Sequence, residues 1–224
     1  MPPPKTILKF SGLLLLLWVL LLAPWPGVES AYASFFRGLG NVAFSRFWFW
    51  GDASVRFCDA RNAEACDLPP WAKAQAPPPL QERDTVMALE NRQVPGSVSF
   101  LRTSSRLIGY WPTAGLVGLI LATPARWRRK LLALGLGLLL VHAFILLRLT
   151  VHLAIDGFSG DKAVAIFHPG PSAARVMAYA RTILNDDPVV SFVAPVVIWV
   201  ALLFRPSQWV SEGNKNELER VASV

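Results

Sequence analysis

The chain has 224 residues, of which 53% are hydrophobic and 17% are charged, and its mean hydropathy is +0.40. Charged residues make up about a quarter of an ordinary soluble domain, so this composition argues against that class. The formal net charge of +7 would suit nucleic-acid binding. However, the tightest basic group, residues 126–130, lies between two apolar segments, where positive charge indicates membrane orientation. We therefore expect an integral membrane protein with membrane lipid around it and no nucleic-acid partner.

The first apolar segment covers residues 10–23 and follows two lysines. Two interpretations are open. A cleaved signal peptide would have this basic start and an Ala-x-Ala site, which residues 31–33 supply. An uncleaved transmembrane helix is favoured, because with the apolar residues before Lys9 the run reaches about 17–20 residues, which is long for a signal core. Both interpretations place the next residues outside the cytoplasm.

Residues 34–50, SFFRGLGNVAFSRFWFW, combine seven Phe and Trp side chains with two arginines. Aromatic side chains favour the headgroup level of a bilayer, and basic heads turn toward lipid phosphates. The segment therefore predicts a helix lying in the outer interface. The alternative, a packed aromatic core of a small domain, is disfavoured because little chain follows to enclose it.

Cys58 and Cys66 are the only cysteines. In an exported loop such a pair most simply forms a local disulfide, and two thiols alone make a poor zinc site, which prefers four ligands. Residues 67–81 are rich in proline and predict an extended spacer. TVMALE and SVSFLR then flank NRQVPG, whose Pro95-Gly96 is a turn signal, so a small β-hairpin is predicted here.

Three further apolar segments predict transmembrane helices at about 107–123, 131–155 and 189–204, which with the first gives four spans and two cytoplasmic termini. The predicted fold is thus an all-α membrane protein of four transmembrane helices, in which the exported segment contains the hairpin. Its regions are a first helix (1–27), the exported segment (28–106), a three-helix membrane core (107–205) with a second exported loop (156–188), and a cytoplasmic tail (206–224).

The third of these helices carries His142, Arg148 and His152. Ionisable groups inside a membrane are costly enough to indicate a function. Arg148 and His152 are four residues apart and share a helical face. The spacing of the histidines, His168 included, matches no standard metal-ligand pattern, and no phosphate-binding or dinucleotide motif is present, so no metal or cofactor is predicted.

Three exported-side positions can converge: Ser104 and Ser105 before the second span, Arg148 near the outer end of the third, and His168 in the second exported loop. Each also has a plainer interpretation. A serine there can cap the helix, an arginine can extend toward outer headgroups, and a histidine followed by Pro-Gly-Pro can be an ordinary loop residue.

This order resembles the exosortase/archaeosortase family of membrane-embedded, cysteine-dependent processing enzymes, and especially its short members. The matching text is TSSRLIGYWPTAGLVGLILATPARWRRKLLALGLGLLLVHAFILLRL followed by AIFHPG, within a resemblance that covers roughly residues 100–205. It implies Ser104 or Ser105 at the nucleophile position, Arg148 as the group that stabilises an oxyanion or binds a carboxylate, and His168 as the base. Two departures are that serine replaces the family's cysteine and that Ile145 replaces an asparagine often found three residues before the arginine.

Two function classes follow, and the sequence leaves open whether the chain is an enzyme. The first is an exosortase-like peptidase or transpeptidase in the cytoplasmic membrane, with an extracytoplasmic site that acts on the C-terminal sorting tails of exported proteins. A serine hydroxyl is a weaker nucleophile than a thiolate and needs a well-aligned base. The second is a non-catalytic membrane scaffold of the same fold that binds a partner helix, a lipid or an envelope polymer.

Overall fold

The computed structural model describes residues 4–23, 25–44, 53–62, 66, 84–91, 93–94, 96–159, 164–166, 168–186 and 189–203. The α-helices in this part are α1 (Pro4–Leu22), α2 (Pro26–Phe44), α3 (Trp111–Ala122), α4 (Trp127–His152), α5 (Pro171–Arg181) and α6 (Val190–Leu203). Single π-helical turns precede α3 (Arg106–Tyr110) and follow α4 (Leu153–Gly157) and α5 (Thr182–Asp186). The strands are β1 (Ala53–Asp59), β2 (Thr85–Asn91) and β3 (Val98–Thr103).

The chain divides into two compact units. The first unit contains α1, most of α3, the first part of α4 up to Val141, and α6 from Phe192. The second unit contains α2, the three strands, the end of α4 from His142, and α5. The candidate site residues Ser104, Ser105, Arg148 and His168 all belong to the second unit.

The three strands form one antiparallel sheet in the order β1-β2-β3. β2 and β3 are the hairpin that the sequence predicts, and Gly96 between them has a φ of 83°, a left-handed value that suits glycine. Because paired residues share a face of an antiparallel sheet, the register of Phe57 with Met87 and of Met87 with Leu101 places three apolar side chains together. This apolar face is the core of the second unit.

α2 packs on that face through Phe57. The ring of Phe57 contacts the rings of Phe36 and Phe44, with centroids 6.2 and 5.7 Å apart. Gly40 lies between these two phenylalanines at a spacing of four residues, and a Cβ added to it would come within 2.8 Å of the Phe57 ring. Phe36 and Phe44 are almost fully buried, so they form the packed aromatic core that the sequence disfavoured.

Asn41 closes the open edge of β1. Its Nδ2 donates to the carbonyl oxygen of Phe57 at 3.0 Å, and its Oδ1 accepts from the Phe57 amide at 2.7 Å. Among the described strands β1 lies at the edge of the sheet, and edge strands carry unpaired backbone groups that can pair with other chains. One side-chain amide therefore completes the hydrogen bonding of β1 at this position and blocks further strand addition there.

The end of α4 also lies against the sheet. Gly157, in the π-helical turn, packs against the side chains of Leu89 and Leu101. Leu153 and Phe158, before and after it, are fully buried. The second unit therefore joins the last turns of α4 to the apolar face of the sheet.

In the first unit a single threonine joins two helices. The hydroxyl of Thr123, just after α3, donates to the carbonyl oxygen of Leu119 and accepts from Trp199 Nε1 of α6, both at 2.7 Å. Lys130 of α4 donates to the carbonyl oxygen of Leu121 at 2.7 Å and so satisfies one of the last carbonyls of α3. The Thr123 hydroxyl thus donates one hydrogen bond to α3 and accepts one from α6, which joins the end of α3 to α6.

The prediction of an all-α protein with four transmembrane helices is wrong. Within the described residues one helix, Trp127–Gly157, is long and apolar enough to cross a bilayer by itself. Arg106–Ala122 and Val190–Leu203 are apolar but shorter, at about 26 and 21 Å against a hydrocarbon core of about 30 Å. Ile7–Leu22 and Gly27–Phe44 meet the criterion only if they are taken together as one broken span. The three-stranded sheet further excludes an all-α class.

The length criterion explains this error. The predicted segments 107–123 and 189–204 contain 17 and 16 residues, and the helices found there, Arg106–Ala122 and Val190–Leu203, are shorter than the roughly 20 residues that span a bilayer. Three predicted features lie outside the described residues: the end of the aromatic segment (45–50), the proline-rich spacer (67–81) and the cytoplasmic tail (206–224).

Candidate functional site

Ser105 is held by a carboxylate and not by an imidazole. Its hydroxyl donates to Asp84 Oδ2, and its backbone amide donates to Asp84 Oδ1 at 2.8 Å. Asp84 directly precedes β2 and Ser105 follows β3, so the antiparallel pairing of the two strands brings these residues to the same end of the sheet. Ser105 is almost completely buried. A carboxylate that accepts from both groups of one serine at a helix start is typical of helix capping.

Ser104 has a capping role of its own. Its Oγ accepts from the amide of Leu107 at 3.3 Å, and its carbonyl oxygen accepts from the amide of Ile108 at 3.1 Å. This is the pattern of an N-cap residue, whose side chain satisfies an amide two or three residues later. Ser104 and Ser105 thus both stabilise the start of the helix that leads into α3.

Arg148 is a buried cation with a neutral partner. Its side chain is 3% exposed, its NH1 donates to Ser191 Oγ at 2.6 Å, and its Cζ lies 5.9 Å from the centre of the Phe144 ring. Within the described residues its Nε has no hydrogen-bond partner, and no aspartate or glutamate there forms an ion pair with it. A buried guanidinium without a carboxylate retains a desolvation penalty of several kcal/mol.

The surroundings of Arg148 on its own helix are apolar. Ile145 and Leu149, the neighbours three residues before and one after, are essentially fully buried. Ser191 comes from the first turn of α6, 43 residues along the chain. Because α4 positions the guanidinium and α6 the hydroxyl, the pair depends on how the chain folds and not on local sequence.

His168 is exposed in the segment before α5. It forms no hydrogen bond, ion pair or ring contact with another described residue. No hydrogen bond joins any two of Ser104, Ser105, Arg148 and His168. Ser104, Ser105 and Arg148 therefore have separate partners in this structure, and His168 contacts none of them.

A second polar cluster was not selected from the sequence. His152 Nδ1 lies 2.7 Å from Asp156 Oδ2, and Arg181 NH1 lies 3.1 Å from Asp156 Oδ1. Asp156 therefore joins the end of α4 to α5. The spacing of His152 and Asp156 by four residues was a usable signal, because such pairs face each other on a helix. The sequence carried no such signal for Arg181, because Arg181 lies in another helix.

Neither a protein family, nor a curated protein, nor a solved structure matches this chain. The resemblance to exosortases therefore depends only on the residues quoted above.

Proposed function

We propose that this chain is an extracytoplasmically oriented membrane protein that binds a carboxylate of a partner polypeptide at Arg148 and Ser191, without cleaving it. The observation that carries the proposal is the buried guanidinium of Arg148, whose Nε has no partner within the described residues.

Membrane association is supported by α4 and its following turn. The continuous helix Trp127–Gly157 has 31 residues, and its most apolar 18-residue stretch has a mean hydropathy of 2.3, yet only 22% of that stretch is buried inside the protein. The core helix of a soluble protein would be mostly buried. Leu132 and Leu139 are 66% and 67% exposed, and lipid is a surrounding in which such leucines are stable.

The orientation is supported by charge and by redox chemistry. Arg126, Arg128, Arg129 and Lys130 lie at the start of α4, and positive residues favour the cytoplasmic side. The second unit, which holds the far end of α4, contains the disulfide between Cys58 and Cys66. Disulfides persist in oxidising compartments. Both features favour an extracytoplasmic position for Arg148.

A carboxylate fits the guanidinium nitrogens of Arg148 that do not contact Ser191. NH1 is engaged with Ser191, which leaves Nε and the second terminal nitrogen without a partner among the described residues. These two nitrogens form the fork that binds a carboxylate through two parallel hydrogen bonds. The apolar neighbours Ile145 and Leu149 favour a carboxylate carried by an apolar chain over a fully hydrated anion.

The test uses a dye-labelled Ala/Leu peptide in two forms, one ending in a free carboxylate and one in an amide. Binding to the detergent-purified full-length protein is measured by fluorescence anisotropy. We expect the acid to bind at least about tenfold more tightly than the amide, because an Arg–carboxylate pair in a desolvated site contributes about 1.4 kcal/mol or more. Arg148→Met should remove the difference, whereas the exposed Arg61→Met should preserve it.

Equal binding of the acid and the amide by the unmodified protein would contradict the carboxylate site. Competition separates the ligand classes: acetate should displace the acid form more effectively than glycerol phosphate does. The reverse order would assign the arginine to phosphate and reject the proposed partner.

The exosortase-like enzyme is the second candidate, and one observation favours it. Asp84 Oδ2 accepts a hydrogen bond from the Ser105 hydroxyl, so a carboxylate lies where a general base for a serine nucleophile would be needed. In this alternative Asp84, and not His168, would activate Ser105. Asp84→Asn and Ser105→Ala should then each abolish release of a C-terminal sorting tail, measured as a mobility shift of the tailed substrate protein.

A further inference from the structure

α5 is a helix that the rest of the described chain leaves uncovered. None of its residues is buried. Val176, Tyr179 and, in the following turn, Ile183 are 68%, 72% and 60% exposed. With its following turn α5 continues to Asp186, and helices of this length take most of their stability from packing of an apolar face and not from helix propensity. The exposed apolar side chains of α5 would therefore be more stable in an apolar environment than in water.

The exposed apolar side chains form one stripe. Val176, Tyr179 and Ile183 follow the spacing i, i+3, i+7 of an amphipathic helix. Arg181 lies on the opposite side, about 140–160° around the helix at about 100° per residue, and there it pairs with Asp156 at 3.1 Å. One side of α5 is thus attached to the protein, and the other presents its large apolar residues.

The attachment places α5 at the end of the candidate membrane span. Asp156 belongs to the π-helical turn that ends the continuous helix Trp127–Gly157. The end of a membrane span lies at the level of the lipid headgroups. The Arg181–Asp156 ion pair therefore brings α5 to this level.

The charge of α5 fits an anionic surface. The helix contains Arg175 and Arg181 and no acidic residue. Arg175 directly precedes Val176 and is exposed beside the apolar stripe. Amphipathic helices with basic residues beside an apolar face bind at the boundary of headgroups and acyl chains and are attracted by anionic lipids.

We propose that α5 lies in the outer headgroup layer of the bilayer, with Val176, Tyr179 and Ile183 toward the acyl chains and Arg175 toward lipid phosphate. The occupant of the exposed stripe is thus lipid. This inference depends on the membrane association proposed above, but not on the carboxylate site at Arg148.

Spin labels on single cysteines test the depth of the stripe. Cys58 and Cys66 are joined to each other, so an added cysteine is the only one available to a methanethiosulfonate nitroxide in the absence of reductant. The full-length protein is reconstituted into vesicles of phosphatidylethanolamine and phosphatidylglycerol. Val176→Cys, Tyr179→Cys and Ile183→Cys are labelled in turn, and collision with oxygen is compared with collision with a water-soluble nickel complex.

Two reference positions calibrate the measurement. Leu139→Cys lies on the exposed surface of α4 and should report the acyl region, whereas Val94→Cys lies in the turn between β2 and β3 and should report water. At all three positions of the stripe we expect oxygen to collide with the label more often than nickel does. Position 139 should give the same result, and position 94 the opposite one. Arg175→Gln should lower the oxygen-to-nickel ratio at position 179, and the matched Arg61→Gln should not.

The possible results separate the two proposals. A nickel-accessible label at position 139 would reject the membrane span itself. An oxygen-accessible label at 139 with nickel-accessible labels on the stripe would overturn only the placement of α5. Labels on the stripe that neither reagent reaches would mean that protein, such as a second copy of this chain, covers it, and would overturn the lipid assignment. Equal effects of the two arginine variants would overturn the contact of Arg175 with phosphate.

Discussion

Asp84 binds Ser105 through both oxygens of its carboxylate, one to the amide and one to the hydroxyl. This relationship stabilises the start of the helix that leads into α3 by joining it to the sheet. It also occupies the hydroxyl that the sequence suggested as a nucleophile. If the contact only stabilises the helix, the chain is a binding protein; if Asp84 activates the hydroxyl, the chain is an enzyme.

Substitution of the two serines distinguishes the binding protein from the enzyme. If the chain is a binding protein, Ser104→Ala combined with Ser105→Ala should leave function intact and reduce the free energy of unfolding by about 1–2 kcal/mol, because the Ser104 capping bond and the hydroxyl bond of Ser105 to Asp84 are lost. Function is scored by complementation of a deletion strain, and stability by thermal unfolding followed by tryptophan fluorescence. Arg148→Leu should abolish function while the protein still inserts, since leucine is more favourable in a bilayer than arginine by about 3 kcal/mol.

The enzyme alternative makes the opposite prediction for the serine variants. The double serine variant would then lose function, and Ser105→Cys would retain some, because sulfur is the nucleophile of the family that the chain resembles. The exposed Ser172→Ala of α5 serves as the control for a general effect of losing a hydroxyl.

A second prediction concerns the contact of α2 with the sheet. Gly40→Ala should lower the free energy of unfolding by about 1–3 kcal/mol, because the added Cβ would come within 2.8 Å of the Phe57 ring and well-packed cores do not accept extra atoms freely. Gly38→Ala in the same helix has no atom within 4 Å of its added Cβ. It should be neutral or stabilising by about 0.5–1 kcal/mol, since alanine favours a helix over glycine. In thermal unfolding, Gly40→Ala should lower the melting temperature, whereas Gly38→Ala should leave it unchanged or raise it.

A third prediction concerns the edge of β1. Asn41→Ala removes both hydrogen bonds to the backbone of Phe57 and should cost about 1–3 kcal/mol, because one amide and one carbonyl lose their partner. Hydrogen exchange of the Phe57 amide should accelerate relative to that of Met87, which pairs within the sheet. Unchanged protection at Phe57 would mean that the side-chain amide is not what shields this edge.

A fourth prediction concerns the side of the membrane on which the second unit lies. A membrane-impermeant maleimide applied to intact cells should label Cys58 and Cys66 only after reduction, because the two thiols are joined and the proposed orientation places them outside the cytoplasm. Cys58→Ser should make Cys66 reactive without reductant. Labelling that requires permeabilisation would reverse the proposed orientation, whereas labelling of the unmodified protein without reductant would show that the pair is open in the cell.

Local patterns in the sequence were sufficient for several features of this protein. The Pro95-Gly96 turn with its apolar flanks predicts the β2–β3 hairpin, and the cysteine spacing predicts the pairing of Cys58 with Cys66, which the structure contains. The apolar run around residues 131–155 predicts the one long helix. These features depend on residues close together in the chain, where turn chemistry, short loops and helical periodicity act directly.

Tertiary structure decided the features that depend on distant residues. Asp84 reaches Ser105 only because β2 and β3 pair, and Arg148 meets Ser191 only because α4 and α6 begin and end where they do. The apolar segments also predicted four spans. Hydropathy does not show where a helix ends, nor whether its apolar face packs against a sheet. Sequence alone thus determined which residues are polar, apolar or turn-forming, whereas the contacts between separate elements determined the partner of each, because hydrogen bonds and packing depend on distance in space and not on distance along the chain.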